Sequence, residues 1–427
     1  MAEQAVVYWL KAGQQALARS GMAEAIAQLR KGLDVLAGLP DGPWRQQQEL
    51  DLQIALGSAL PAMAGWSGVE VGETLARARA LAEQLDRPDY LAPLIVGQWA
   101  FHVARGEHRL ALPLGEQLEQ IGKAQNDASM QSLGRLLPGI PHYFLGELVA
   151  ARTVLERCMD LADPAHRTIG KLSYDPYARM LAYFALTLAY QGYIDQARSR
   201  MNEALSEARR LRHSHTLAIV LFFANWLDWL TGLPDEKHME EGLVLTTEHG
   251  FQFYSGFALA FRGRSLIALG QGQKSLELVT QGLAELRSTG AVVSTPMLFT
   301  WLAEAHAMLG QPAEARNCLA EAARIVETTG ERISEAELLH RIPGDLFNSA
   351  GDRSEAERHY RQAIAVAERQ GVKLFQLRAS TSLARLWRDQ GRRTEAHDLL
   401  APIYGWFTEG FDAPDLKEAK ALLEELA

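Results

Sequence analysis

Small and apolar positions recur in the C-terminal half of the chain with a period of about 40 residues. Each copy has a small residue, a glycine seven positions later, an alanine five beyond it, a large apolar residue four further on and another small residue three later. The clearest copy consists of Ala303, Gly310, Ala315, Leu319 and Ala322. Two further copies are centred on Gly351 and Gly391. Repetition at this period predicts a solenoid of stacked helical hairpins.

The spacing has a reason in helix geometry. A small residue lets two antiparallel helices approach closely, and the glycine seven residues later ends the first helix in a tight turn. The following alanine and large apolar residue then lie one turn apart on one face of the second helix. Each hairpin has an apolar side that only a neighbouring hairpin can cover, so the hairpins must stack. This arrangement resembles the tetratricopeptide repeat.

The same template divides the whole chain into about ten hairpins within one solenoid spanning residues 1–427. The predicted units are residues 1–40 for the first hairpin, 45–88 for an irregular one, 90–164 for two, 174–290 for three with a degenerate middle one, 292–404 for three regular ones, and 405–427 for a capping helix. We therefore predict an all-α, right-handed superhelical α-solenoid of tetratricopeptide-like hairpins that ends in a C-terminal capping helix.

One aromatic cluster stands out in the degenerate middle unit. Phe222, Trp226 and Trp229 recur at helical spacing along one face, and Phe257 and Arg264 take the same register in the next unit. The first helices of such stacks line a concave groove, and aromatic anchors beside an arginine are typical of a groove that binds a peptide or a small molecule. The alternative interpretation is that these rings fill the core of an irregular repeat, which is the commoner use of such a stripe.

Composition and charge narrow the class of protein. The chain has 43 Lys and Arg against 52 Asp and Glu, a formal net charge of −9, which argues against nucleic acid as the main partner. No run of 18 apolar residues predicts a membrane helix, and an N-terminus that carries Glu3 without a basic region predicts no signal peptide. We expect a cytoplasmic protein whose two cysteines, Cys158 and Cys318, are free thiols.

The motifs that could indicate catalysis, phosphate binding or metal binding are weak in this sequence. The segment 270–275 resembles the end of a phosphate-binding loop, but it lacks the glycine before the lysine and a preceding strand, so we interpret it as a hairpin turn. His213 and His215 are two residues apart, which directs their rings to different sides of a helix. We interpret the acidic stretch from Glu331 to Glu337 as an exposed, solvated face. We therefore expect no catalytic residue, no metal site and no cofactor.

Three segments carry a resemblance to a known family. They are LPDGPWRQQQELDLQIALGSAL from Leu39, TSLARLWRDQGRRTEAHDLLAPI from Thr381 and YGWFTEGFDAPDLKEAKALLEEL from Tyr404. They look like the long tetratricopeptide region of bacterial multidomain proteins in which a class III adenylate or guanylate cyclase domain precedes a P-loop ATPase of the signalling type. The resemblance covers essentially the whole chain and implies the fold and a regulatory setting.

The catalytic parts of that family are missing from this sequence. A cyclase of this class needs paired aspartates for two metal ions, and the ATPase needs a phosphate loop after a strand. No catalytic residue can be transferred from the family on this basis. Because Met1 falls inside the first hairpin, we expect a free-standing relative, half of a split gene or an isolated regulatory region.

These observations predict a non-catalytic interaction and regulatory module in signalling, connected with the control of a cyclase or ATPase. Its partner segment is expected to bind in the concave groove. A sensor of a small effector that uses the aromatic middle of the groove is the alternative, and a pure scaffold stays open. The expected partners are a protein, with a cyclase or ATPase polypeptide as the candidate, or the small effector, and neither nucleic acid nor a membrane. A homodimer also stays open, because the first hairpin has no preceding cap.

Overall fold

The structure is a computed structural model that describes residues 2–19, 21–167 and 174–427. These residues form helices and turns, with no strand among them. In chain order the α-helices are α1 (Ala2–Ala18), α2 (Met22–Ala37), α3 (Pro43–Ala64), α4 (Val69–Gln84), α5 (Leu91–Ala104), α6 (His108–Gln125), α7 (Ala128–Leu136), α8 (Gly139–Phe144), α9 (Leu148–Arg157), α10 (Pro176–Tyr190), α11 (Ile194–Leu211), α12 (Ser214–Thr231), α13 (Glu236–His249), α14 (Gln252–Ala268), α15 (Gly272–Ser288), α16 (Thr295–Met308), α17 (Pro312–Thr329), α18 (Ile342–Ser349), α19 (Arg353–Gln370), α20 (Lys373–Asp389), α21 (Arg393–Tyr404) and α22 (Pro414–Leu426).

Successive helices pair into ten hairpins, and α22 packs on the last one. In the fourth hairpin the first helix is divided into α7 and α8, and in the ninth a π-helical stretch, Ala336–Arg341, runs directly into α18. The predicted all-α solenoid of hairpins is confirmed. Two residues of the predicted first hairpin, Met1 and Ser20, lie outside the described residues.

Glycines play the two roles that the repeat pattern requires. Gly310, Gly351 and Gly391 end first helices with φ values of +70°, +85° and +82°, a backbone region that side chains disfavour. At the helix crossings the constraint is space. A Cβ on Gly344 would lie 2.6 Å from Cε1 of Tyr360, and one on Gly263 would lie 2.7 Å from Cγ2 of Val279.

First and second helices differ in how they are covered. The first helix α10 is buried along nearly its whole length, whereas its partner α11 buries one face and exposes the other. Rings from several hairpins meet on the inner side of α10 and its neighbours. The Tyr190 ring centre lies 5.9 Å from that of Tyr143 and 5.2 Å from that of Phe375, which belong to the fourth and tenth hairpins. The first helices therefore enclose a largely filled interior.

The stack also winds back onto itself. Ser67 Oγ donates a hydrogen bond of 2.9 Å to the carbonyl oxygen of Thr289, which is 222 residues away. Further along, the Ala104 carbonyl accepts hydrogen bonds of 3.2 Å from the amides of Val292 and Val293. The same relation links the Phe144 carbonyl to the amide of Arg332 at 2.8 Å.

We call this set of contacts the seam. Each joins the turn of one hairpin to a hairpin about five units further along the chain. A one-dimensional stack, in which a hairpin contacts only its neighbours, has no such contacts. The seam therefore encloses the interior between two superhelical turns.

Candidate functional site

The five residues predicted to line a groove lie on two first helices that pack against each other. Phe222, Trp226 and Trp229 belong to α12, and Phe257 and Arg264 belong to α14. Trp226 is 2% exposed and Phe257 is 0% exposed, whereas the other three are half-buried. Trp226 and Phe257 therefore have almost no exposed surface that a ligand could contact.

The buried members form one aromatic cluster. The Phe222 ring centre lies 4.7 Å from that of Phe257 and 5.6 Å from that of Trp226. The Trp226 Nε1 donates a hydrogen bond of 3.1 Å to the hydroxyl of Tyr190. This packing is what the core interpretation of the aromatic stripe expects for Trp226 and Phe257.

Trp229 and Arg264 line a partly open cavity of about 210 Å³ between α12, α13 and α14. The other lining residues are Asn225, Asp228, Gly232, Pro234, Asp235, Met239, Phe261, Ser265 and Ala268. The apolar walls come from side chains such as Trp229, Phe261 and Met239. We call this space the middle cavity.

Polar groups at the middle cavity are only partly satisfied. Arg264 Nη2 lies 3.2 Å from Glu304 Oε2 in an ion pair. Within the described part of the chain, neither the buried Arg264 Nε nor the buried Asn225 Oδ1 has a hydrogen-bond partner. One N–H donor and one amide acceptor beside an apolar-walled space are thus unpaired, although both atoms are covered by the protein as it stands.

Asp228 and His238 form a second polar pair at the same cavity. His238 Nδ1 lies 2.9 Å from Asp228 Oδ2. Burial raises the pKa of Asp228 above its usual range, while the hydrogen bond to Asp228 raises the pKa of His238. This contact between a carboxyl and an imidazole holds both side chains in place. Ser265 also lines the cavity, but its hydroxyl donates a hydrogen bond of 2.8 Å to the Arg262 carbonyl oxygen rather than to this pair.

The sequence-based interpretation of the acidic stretch was wrong. Glu331 is 6% exposed and Glu337 is 2% exposed, so neither lies on a solvated face. Glu337 Oε1 is 2.7 Å from Arg341 Nη2 and 3.4 Å from Arg378 Nη1, and Arg378 also contacts Asp415 at 2.9 Å. Two of these partners lie on other hairpins, about one repeat away, so no local pattern revealed the network.

Neither a metal-binding group nor a membrane-spanning helix is found among the described residues. In residues 2–19, 21–167 and 174–427 no group of three or more His, Cys, Asp or Glu side chains is placed to hold a metal ion. Both Cys158 and Cys318 are free thiols. Nor does any helix in the described ranges combine the length and the apolar character that crossing a bilayer requires.

Comparison with known proteins supports the fold. Residues 294–369 match the family model of the tetratricopeptide repeat. A solved Rap protein in complex with competence and sporulation factor shares the architecture, with a TM-score of 0.61 and 14% identity over 87% of this chain and 99% of the other. A signal transduction ATPase (STAND) protein with a tetratricopeptide repeat sensor from Pyrococcus horikoshii has a TM-score of 0.44 and 13% identity, over 89% of this chain and 54% of the other.

A relative in Rhizobium meliloti (strain 1021), an uncharacterised protein, is 25% identical over 409 residues. The match covers 90% of this chain and 38% of the relative. The chain thus spans well under half the length of that relative, with which it shares a module rather than the whole protein.

Proposed function

We propose that this solenoid is a regulatory binding module in which a partner segment anchors in the middle cavity. The observation that supports the proposal is an apolar-walled cavity bordered by Arg264 and Asn225, two residues whose polar groups are only partly paired. A cavity of about 210 Å³ holds one side chain or a compact small molecule. Trp229 supplies the rigid aromatic wall that anchoring residues commonly use.

The signalling setting belongs to the same proposal. The resemblance of the three sequence segments to the tetratricopeptide region of cyclase and ATPase proteins supports a role in controlling such an enzyme, in the cytoplasm. The match to only 38% of a longer relative supports a module that works beside other domains or polypeptides. The Rap protein, whose fold is similar, was solved with a bound factor, which supports the use of this architecture for binding.

A small effector is the second candidate, and the size of the middle cavity favours it. Most of the interior is filled by rings such as Trp226 and Phe257, so an extended peptide would find little room without movement of the helices. A compact molecule could occupy the middle cavity as it stands. Its binding would change the stack only as far as it prefers one arrangement of α12, α13 and α14.

Site-specific photocrosslinking tests the proposal. Two versions of the full chain carry benzoylphenylalanine, one in place of Ser265, which lines the middle cavity, and one in place of the exposed Arg262 on the same helix. Each is irradiated in a lysate of the source cells, and the adducts are identified by mass spectrometry. We expect a defined adduct from position 265 alone, and its loss when Trp229→Ala is added.

The outcomes separate the candidates. A cyclase or ATPase polypeptide in the adduct from position 265 supports the partner segment and its signalling role. A metabolite of defined mass supports the small effector. Equal adducts from positions 262 and 265, or adducts that survive Trp229→Ala, would show that the middle cavity is not the binding site.

A further inference from the structure

A second cluster lies inside the superhelix around Arg179 of α10. The Arg179 Cζ is 4.7 Å from the ring centre of Tyr174, 5.2 Å from that of Trp99 and 5.7 Å from that of Tyr183. Tyr254 of α14 is also close enough to influence the guanidinium electrostatically. Because α5, α10 and α14 are all first helices, the cluster combines the third, fifth and seventh hairpins on the inner side of the stack.

Arg179 differs from every comparable arginine in the described residues. It is half-buried, and it forms no ion pair with any residue that the structure describes. All the other arginines that are at least half-buried in that part of the chain are paired with an Asp or Glu. Aromatic faces stabilise a guanidinium by cation–π attraction but leave most of its N–H donors without an acceptor. A half-buried cation with no anion beside it is free to pair with an anionic ligand.

Tyrosine hydroxyls add further donors beside Arg179. The Tyr183 ring lies beside the guanidinium, and burial raises the pKa of Tyr183. Burial likewise raises the pKa of Tyr254, so both phenols stay protonated at neutral pH. Among the described residues, the hydroxyls of Tyr174 and Tyr254 have no hydrogen-bond partner. Arg179 and Tyr254 each keep part of their surface accessible, so a small group can reach them.

The charge balance selects the chemical class of the ligand. One guanidinium and protonated hydroxyls match a single negative charge, and the planar fork of arginine matches the two oxygens of a carboxylate. A phosphate dianion would need more positive charge than one arginine supplies. Aromatic walls favour an apolar or aromatic body next to the carboxylate.

We infer that Arg179, Tyr174, Tyr183 and Tyr254 form a binding site for a carboxylate carried on an aromatic or apolar group. The site is separate from the middle cavity, and the result of testing it does not depend on the function proposed there. Two sources offer this chemistry, a free organic acid and the C-terminal carboxylate of a peptide. Both would meet Arg179 with the same two oxygens.

Calorimetry with matched probes tests the inference on the full chain. The probes are N-acetylphenylalanine, its primary amide, and phenyl phosphate. We expect the carboxylate to bind at least about tenfold more tightly than the amide, because a charged hydrogen-bonded pair is worth roughly 1.5–3 kcal/mol. Phenylacetate and a tetrapeptide ending in phenylalanine then distinguish the sources, since the true source should bind the more tightly of the two.

Variants assign the effect to the cluster. Arg179→Met should weaken N-acetylphenylalanine binding by at least about tenfold, and Tyr254→Phe by about twofold to tenfold, because it removes only one hydroxyl. The control is Arg200→Met, since Arg200 also lies over a ring, that of Phe184 at 5.9 Å, but is paired with Glu203. It should leave binding unchanged.

Other results would overturn the inference. Equal binding of acid and amide, no binding of either, or tighter binding of phenyl phosphate would each contradict a carboxylate site. A lower melting temperature for Arg179→Met, together with unchanged probe binding by Tyr254→Phe, would make Arg179 a packing residue. Because Tyr254→Phe keeps the ring, it tests the site even if the arginine variant fails to fold.

Discussion

At the scale of single residues, the helix crossings depend on the missing Cβ of a few glycines. A Cβ on Gly263 would lie 3.1 Å from the Ser275 carbonyl oxygen and 3.1 Å from the Val279 nitrogen, so it would meet backbone as well as a side chain. Backbone within a packed helix cannot move aside cheaply. Gly57 of α3 is different, because its nearest neighbours would be side-chain atoms at 3.5 Å, an ordinary contact.

This contrast gives a paired prediction for stability. Gly263→Ala should lower the free energy of unfolding by about 1–3 kcal/mol, the usual cost of overpacking, despite the better helix propensity of alanine. Gly57→Ala should raise it by about 0.5–1 kcal/mol, because it gains the propensity without the clash. Urea denaturation followed by circular dichroism measures both. Equal effects of the two substitutions would contradict the close-crossing account.

Glu331 is a single residue that should make stability depend on pH. Burial raises the pKa of Glu331 from 4.5 to about 7, although its carboxylate accepts a hydrogen bond of 2.9 Å from the Ser294 amide. The folded state therefore binds a proton that the unfolded state releases between about pH 4.5 and 7. Stability falls as pH rises through this window and is constant on either side of it, as far as this group is concerned.

Glu331→Gln should remove that dependence while keeping an oxygen for the Ser294 amide. Relative to the original chain, the variant should be more stable by up to about 3 kcal/mol above pH 7, and the difference should vanish near pH 4.5. The test uses the difference in the free energy of unfolding between the variant and the original chain at each pH. The pH dependence of either chain alone is less informative, because burial lowers the pKa of His108 to about 4, which has the opposite effect on stability in acid. The control is Glu327→Gln on an exposed position. A pH-independent difference would show that Glu331 does not titrate in this way.

At the scale of helices and hairpins, local sequence predicts much of the fold. The spacing of small residue, glycine and alanine depends only on how two adjacent helices pack, so it can be recognised in the sequence wherever the repeat is regular. The same is true of helix starts. Asp127 Oδ1 accepts a hydrogen bond of 2.9 Å from the Met130 amide and so caps α7. Local patterns left open whether Trp226 of α12 lines a groove or fills the core, because its partner ring, Tyr190, belongs to another hairpin.

The cap of α7 is expected to matter because the helix has only nine residues. Asp127→Ala should cost about 1 kcal/mol of stability and speed hydrogen exchange in the first turn of α7. Asp127→Asn should cost only a few tenths, since asparagine caps about as well. Hydrogen exchange with mass spectrometry on the two variants distinguishes them. If alanine and asparagine behave alike, the cap does not stabilise this helix.

At the scale of the whole molecule, the seam is the feature that the sequence could not reveal. Its hydrogen bonds join residues 188 or more positions apart, such as Ser67 with Thr289 at a separation of 222. A periodic sequence pattern does not indicate which turn contacts which later hairpin, because that pairing depends on the summed rotation of all the hairpins between them. The Arg179 cluster was missed for the same reason. Its rings come from three hairpins that only the superhelix brings together.

Arg378 makes another contact between superhelical turns, outside the seam, that can be tested at long range. Its Nη2 donates a hydrogen bond of 2.6 Å to the Leu230 carbonyl oxygen, 148 residues away, and its Nε binds Asp415 of α22 at 2.9 Å. Arg378→Met leaves the Glu337 carboxylate with one cation fewer and frees the end of α12. Breaking one partner of a buried ionic network costs about 3–5 kcal/mol at full burial.

The location of the effect distinguishes the two ways in which such a stack can be built. In a one-dimensional solenoid, damage in the tenth hairpin would spread only to its neighbours. In this closed superhelix, Arg378→Met should also speed hydrogen exchange around Leu230, in the sixth hairpin, while the first hairpin stays protected. The control is Arg385→Met on the same helix, whose partner Glu418 is exposed. It should loosen only the C-terminal end. If both variants leave the sixth hairpin unchanged, the contact between Arg378 and Leu230 contributes nothing to stability, because exchange there would then depend on nearest neighbours alone.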